Sequence, residues 1–395
     1  MIESNFPIDS TFLSSLCYES VLRAVSNNYD FDKFKEDILE VIPSSNYNKL
    51  LPSVGKNDRP FFEGSKRGKR ERIGLKKYYG IMLEKDQEGD LIKACKSLLT
   101  RIPSDRIDLK KITIQCKFSQ EEFIIGNDEI TGLQIFKCDR YSGFTATDVS
   151  VYSQITVYCS PEISILLLSG LASSFIMKRM EKSIGGQRRG RQFFYFLFFS
   201  PEEVLKLYCE CDNVRLIKKY FNVKDKVIEF LRSYLVSSLN EIILTELALN
   251  LELQDLLSKS NLDKISFILF KIALEGNTYK IYEQIPITVY RRIILRDIIG
   301  KYFRDPDEFI EELSKIVKNK TLLEALESLS NQKLKEADNV LRAITSLYRF
   351  VVLGDLQEYY QFMRELSNCH RMLTEEKEHK RKEEYRKILS NLGRF

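Results

Sequence analysis

Apolar positions recur with two different periods in the two halves of the chain. Thr11–Ser26 and Asp32–Val41 place them at helical spacing, with Asp32 available as a cap. Strand patterns come next. Lys111–Phe118 alternates polar and apolar residues, Glu122–Ile125 and Leu133–Lys137 are short and turn-bounded, and Val149–Tyr158 is rich in β-branched and aromatic residues. Ser160-Pro161-Glu162 then opens a helix: serine caps, proline suits the first helical position, and a carboxylate suits the positive end of the dipole. That helix is expected to run to about Lys182. The run Phe193–Phe199 does not alternate and fits a strand buried on both faces, with a helix left open by periodicity alone. Ser200-Pro201-Glu202-Glu203 repeats the start signal with the spacing of a capping box.

Past residue 200 strand signals nearly stop. Val204–Phe221, Val227–Leu239, Ile242–Leu257, Ile265–Leu274, Tyr290–Tyr302, Asp307–Val317, Leu322–Leu329, Lys333–Leu353 and Leu356–Ser367 all read as helices. Asp305-Pro306-Asp307-Glu308 is a further start and Gly354 a stop, and Glu375–Lys387 reads as a solvated helix held by i,i+4 pairs. The expected fold class is α+β: an N-terminal mixed α/β half with a mainly antiparallel or mixed sheet, then an all-helical C-terminal bundle. The expected domains are 1–200 and 201–395, with the boundary between 200 and 290.

A chain of 395 residues, 44% of them hydrophobic, has material for two such cores. The longest uncharged apolar segment, Ile163–Met177, is shorter than the roughly 20 residues that span a bilayer. Met1-Ile2-Glu3-Ser4-Asn5-Phe6 lacks the basic start and apolar core of an export signal, and the 8 cysteines are scattered. They read as reduced, mostly buried thiols, so a cytoplasmic protein away from membranes is expected.

Catalytic patterns are nearly missing. Gly185-Gly186-Gln187-Arg188-Arg189-Gly190 has the glycines of a nucleotide loop, but it precedes a strand instead of following one. The 2 histidines, His370 and His379, lie in the polar C-terminal tail. Cys209-Glu210-Cys211 has one intervening residue where zinc knuckles use two to four, and reads as core or half-exposed thiols on a helix. Asp139, Asp148 and Glu162 bracket the strand region and could in principle hold a divalent ion, although their spacing equally fits turns. No catalytic residue, metal or cofactor is assigned, and a non-enzyme is expected.

Charge changes this picture. Lys56–Lys77 carries 9 basic residues against Asp58, Glu63 and Glu71; Lys178–Arg191 carries 6 against Glu181. Together they hold +11, against +5 for the whole chain, so the rest is net acidic by 6. Both segments are glycine-rich and flanked by aromatics. Glycine lets a backbone approach a phosphate closely, and arginine binds phosphate bidentately or reads guanine in a major groove. The candidate nucleic-acid-binding residues are Arg188, Arg189 and Arg191, with Lys66, Arg67, Lys69, Arg70 and Arg72. The plainer alternative is a pair of solvated surface loops.

Two segments, Phe136-Lys-Cys-Asp-Arg-Tyr-Ser-Gly-Phe-Thr-Ala-Thr147 and Val157-Tyr-Cys-Ser-Pro-Glu-Ile-Ser-Ile-Leu-Leu-Leu-Ser-Gly-Leu-Ala-Ser-Ser-Phe175, resemble the large subunit of archaeal type I-A CRISPR interference complexes, the archaeal Cascade. The similarity covers about residues 110–200; the C-terminal half agrees in architecture only. The resemblance implies a subunit without recognised catalysis, at the end of a filament bound to guide RNA. It would help recognise the short motif beside a DNA target and separate the strands in antiviral defence. The implied partners are guide RNA, target DNA, the backbone and small subunits, and a recruited helicase–nuclease. No motif-reading residue of that family transfers by position. Two alternatives stay open: a metal-dependent nuclease or other nucleic-acid-processing enzyme, and a helical scaffold whose basic loops touch acidic protein partners.

Overall fold

Thr11 accepts the amide of Ser14 and starts α1, Phe12–Ser26; Asp30 accepts the amides of Asp32 and Lys33 and starts α2, Phe31–Val41. The cap of α2 is therefore Asp30 and not Asp32, which lies in the first turn. A computed structural model describes residues 3–42, 91–118, 122–127, 129–132, 134–141, 156–181, 191–237, 250–251, 257, 260–275, 278–290, 294–330 and 334–395. After α3, Leu91–Arg101, two short parallel strands pair, β1 Glu3–Ser4 and β2 Thr113–Ile114. A mixed sheet follows in the order β3-β4-β6-β5, from β3 Cys116–Phe118, β4 Glu122–Ile125, β5 Ile130–Thr131 and β6 Thr156–Cys159; β4 and β6 run parallel.

Three expected elements change type. The strand expected at Leu133–Lys137 is a tight helical turn, Gln134–Lys137, running into α4, Cys138–Tyr141. Its successive residues Ile135, Phe136, Lys137 and Cys138 are all buried, which an alternating strand on a half-solvated sheet does not do. The helix expected from Ser160 to about Lys182 splits: α5 is Pro161–Ser174, capped by Ser160, and the chain passes directly into β7, Phe175–Glu181. The third change is downstream, where Ile265–Leu274 is not helical. It lies in β9, Lys264–Glu275, followed by β10, Thr278–Tyr290. Near-continuous apolar runs satisfy either period, and a neighbouring strand decides between them.

That neighbour is β8, Arg191–Phe199, an interior strand of the antiparallel sheet ordered β10-β9-β8-β7. No residue of Phe193–Phe199 is more than 8% exposed, so both faces of β8 are covered. Phe12 of α1 meets Phe196, Phe198 and Phe270 edge-on at 5.3–5.5 Å. On the other face, Phe199 meets Tyr220 and Phe221. These lie on α7, Val214–Ser237, which follows α6, Pro201–Cys209, capped by Ser200. Each such ring removes on the order of 2–3 kcal/mol of apolar surface from water. Helix α5 lies against α1 at Gly170, whose α-hydrogen faces the Leu16 carbonyl, and the Ser20 hydroxyl donates to the Leu166 carbonyl.

The helical region comprises α8 Ile294–Tyr302, α9 Pro306–Val317, α10 Lys320–Glu327, α11 Ala337–Tyr348, α12 Leu356–Met372 and α13 His379–Leu392. Asp305 caps α9, and Gly354 (φ 71°) stops the chain after a π-helical turn, Arg349–Leu353. Phe309 centres its core, within 4.2–6.3 Å of the rings of Phe303, Phe350, Tyr359 and Phe395. The fold is thus an N-terminal mixed α/β region with antiparallel and mixed sheets and a C-terminal helical region. Two compact units divide it: Met1–Ile228 with Phe267–Pro286, and Glu229–Ser266 with Ile287–Phe395.

Candidate nucleic-acid interface

Residues 182–190 join two strands that already lie side by side. β7 and β8 are antiparallel, and their register sets Glu181 opposite Arg191 and Arg179 opposite Phe193. Arg188 and Arg189 fall in 182–190, and Lys66, Arg67, Lys69, Arg70 and Arg72 fall in 43–90; all seven lie outside the described residues. Arg191 is the first residue of β8. In the register it stands opposite Glu181.

The root is rigid for identifiable reasons. Phe193 pairs with Ala273 of β9 across the register that continues to Phe199 and Phe267. Lys271 is buried, with its Nζ 4.5 Å from the centre of the Phe193 ring and 3.2 Å from Glu283 Oε1. The Phe193 ring meets Tyr282 edge-on at 5.2 Å.

A second charged constellation lies at the other end of β8 and went unnoticed in the sequence. The fully buried Arg23 of α1 reaches Glu19 (Nε–Oε1 3.4 Å), Asp37 of α2 (3.0 Å) and Asp225 of α7 (2.5 Å), with its guanidinium 4.3 Å from the Phe221 ring centre. Lys224 Nζ is 2.5 Å from Glu19 Oε1 and within 6 Å of the rings of Phe198, Phe199 and Phe221. Ser173 of α5 donates to the same Glu19 oxygen at 2.7 Å, while Glu19 Oε2 is buried without a hydrogen bond. Burial pushes the Lys224 ammonium down to about 8, against the pull of Glu19. Burial also raises the Asp225 carboxyl, opposed by Arg23. For Arg23 burial works against the charge, but the three carboxylates outweigh it and hold the guanidinium above its usual range. The cluster ties four helices together; Glu19, Arg23 and Lys224 are closed to any ligand. The available signal was Lys224 itself, which interrupts the apolar stripe Ile217, Tyr220, Phe221, Val227, Ile228, Leu231.

Of the residues weighed for catalysis, Asp139 is engaged in the fold. Both carboxylate oxygens of Asp139 accept backbone amides at the start of α1, from Phe12 at 2.7 Å and Leu13 at 3.1 Å. Burial raises this carboxyl to about 6, against the lowering effect of those amides. Asp148 lies outside the described residues, and Glu162 is in the first turn of α5. Cys209 is exposed and Cys211 buried. His370 lies in the last turn of α12, and His379 opens α13. Among the described residues no group of three or more His, Cys, Asp or Glu side chains is arranged to hold a metal ion, and no helix is long and apolar enough to cross a membrane.

No family model matches the chain, and no solved structure matches it. An uncharacterized protein of Archaeoglobus fulgidus is 38% identical over 402 residues, which span 99% of this chain and 99% of that protein.

Proposed function

We propose that this chain, which belongs to one family with that Archaeoglobus fulgidus protein, is a nucleic-acid-binding subunit of an RNA-guided antiviral surveillance complex. In this reading it has no catalysis of its own and works in the cytoplasm. It binds guide RNA and target DNA beside backbone and small subunits and a helicase–nuclease, as its resemblance to the large subunit of the archaeal type I-A complex implies. The observation that carries the reading is the root of the arginine segment. Arg188 and Arg189 belong to a stretch whose two ends are fixed on adjacent strands, one of them the buried interior strand β8. A cationic segment held at both ends loses less freedom on binding than a free tail, so more of its phosphate attraction appears as affinity.

The test is binding of the purified protein to labelled single- and double-stranded DNA and to RNA across a salt series. With six or more phosphates neutralised, affinity falls roughly a thousandfold between about 50 and 200 mM salt. Substituting Arg188, Arg189 and Arg191 together by alanine lowers the slope of log affinity on log salt by about 3. Copurification from the native host yields short RNAs sharing one 5′ end and a repeated backbone subunit. Salt-insensitive binding, or an intact preparation without RNA or stoichiometric partners, overturns the proposal.

A further inference from the structure

We infer that the exposed face of α7 is a second nucleic-acid contact, in which Arg215, Lys218 and Lys219 receive the phosphates of one strand. The inference rests on the nucleic-acid reading above, and it places the contact on residues that belong to neither basic segment of the sequence. They fall in the remainder of the chain, which is net acidic.

Helical spacing gathers these side chains. Positions 215, 218, 219 and 222 lie at i, i+3, i+4 and i+7 and share one face of α7. Arg215, Lys218, Lys219 and Asn222 are all exposed. The opposite face is fixed. Ile217, Tyr220 and Phe221 are buried, Phe199 of β8 meets the rings of Tyr220 and Phe221, and Lys224 reaches Glu19 of α1. The cations are therefore mounted on a backbone that a ligand does not have to order, and only side-chain freedom is lost on binding. From position 215 to position 222 the helix rises about 10 Å. That is the axial length of about three phosphates of one strand. Lys226 continues the line and is exposed, but it has an interaction of its own and is not counted.

Charge on this face works against the helix that carries it. On other helices surface lysines sit beside carboxylates of their own element: Lys315 beside Glu311 at 2.9 Å, Lys320 beside Glu324 at 3.5 Å and Lys387 beside Glu384 at 2.8 Å. On α7 the i,i+3 and i,i+4 neighbours of Arg215 are Lys218 and Lys219, like charges that repel. Helices α5, α6 and α9 carry acidic residues in their first turns, at the positive end of the dipole, whereas the first turn of α7 has none and holds Arg215. The nearest carboxylates along the chain are Glu210 and Asp212, ahead of the helix, and Asp225, which Arg23 holds. Among the described residues no carboxylate forms an ion pair with Arg215, Lys218 or Lys219. Three cations that oppose the fold where they stand are accounted for by an anionic ligand that neutralises them, and a nucleic-acid backbone presents its anions in a line of matching length.

The test adds variants of α7 to the same salt series, with the labelled DNA and RNA probes above. Arg215→Ala/Lys218→Ala/Lys219→Ala is expected to lower the salt slope by about 2–3. The control Lys315→Ala/Lys320→Ala/Lys387→Ala removes the same charge from positions paired with carboxylates and leaves the slope unchanged. Lys218→Glu/Lys219→Glu weakens binding more than Lys218→Ala/Lys219→Ala, and Lys218→Arg/Lys219→Arg binds as the wild type does. Thermal melts separate binding from folding: with the repulsion relieved, the triple alanine variant melts no lower than the wild type. A lower melting temperature would mean that these residues serve the fold, and overturns the inference. If the α7 variant binds as the wild type does while the variant of Arg188, Arg189 and Arg191 is impaired, the α7 contact is wrong and the parent reading stands. The reverse result upholds the α7 contact and removes the arginine segment from its role. Unchanged nucleic-acid binding with loss of a copurifying protein overturns the inference in favour of an acidic protein partner. If the wild type itself shows no salt-dependent binding, both are wrong.

Discussion

Lys224 stands where an apolar residue belongs, in the buried stripe of α7, with its ammonium against three phenylalanine rings and Glu19. Taking both charges out of water costs more than their attraction returns unless further polar contacts complete the pair. Ser173 and Arg23 supply those contacts on Glu19. The partners are therefore strongly coupled. Glu19→Ala leaves Lys224 buried without a carboxylate and is expected to cost about 3–5 kcal/mol. The double variant Glu19→Gln/Lys224→Met removes both charges and should recover most of that loss. Urea unfolding of Glu19→Gln, Lys224→Met and the double closes the cycle; additive single effects would show that the pair is not coupled. Lys224 in an apolar stripe was the one trace of this in the sequence; the partner was not legible, because i,i+4 spacing of Glu19 and Arg23 is also what a solvent-facing helix shows.

Elements are decided partly by their own residues and partly by what lies beside them. Ser160, Ser200 and Asp305 were readable as helix starts because a cap acts within three residues. The switch from α5 to β7 at Phe175 was not, since its cause is hydrogen bonding to β8. Two glycines separate the same effects. A Cβ at Gly170 would come within 2.3 Å of the Leu16 carbonyl, so Gly170→Ala forces α1 and α5 apart, at an expected cost of about 1–3 kcal/mol or more. A Cβ at Gly300, in α8, meets nothing within 4 Å, so Gly300→Ala is expected to add up to about 1 kcal/mol. Thermal denaturation of both variants, with opposite signs expected, tests the helix contact against simple propensity.

At the scale of the molecule, the chain leaves its first unit after Ile228, returns at Phe267 and leaves again after Pro286. The return is the β9–β10 hairpin, which completes the sheet beside β8. Two buried groups in that first unit contribute to its response to pH with opposite signs. Asp139 is raised from 3.8 to about 6, so the folded state holds the extra proton between those values, and stability falls as pH rises through that window. Lys224 is lowered from 10.5 to about 8, so the unfolded state holds the extra proton, and stability rises from pH 8 towards 10.5. Each contribution is on the order of 3 kcal/mol. Melting temperature against pH should lose the acid slope in Asp139→Asn and the alkaline rise in Lys224→Met; unchanged profiles would contradict the assignments.

The sequence by itself determined the α+β class, the helix starts at Ser160, Ser200 and Asp305, the full burial of Phe193–Phe199 and the concentration of positive charge in two segments. Each is a local matter of caps, composition or a run too apolar for the surface. Only the tertiary structure decided that 175–181 and 264–275 are strands: the first continues a helical segment without a stop signal and the second is a near-continuous apolar run, and each takes the conformation that its neighbours' hydrogen bonds complete. It likewise decided that Asp139 caps α1 from 126 and 127 residues away, and that Lys224 faces Glu19. Those pairings are set by how helices and sheet meet, a distance in space that no spacing along the chain records.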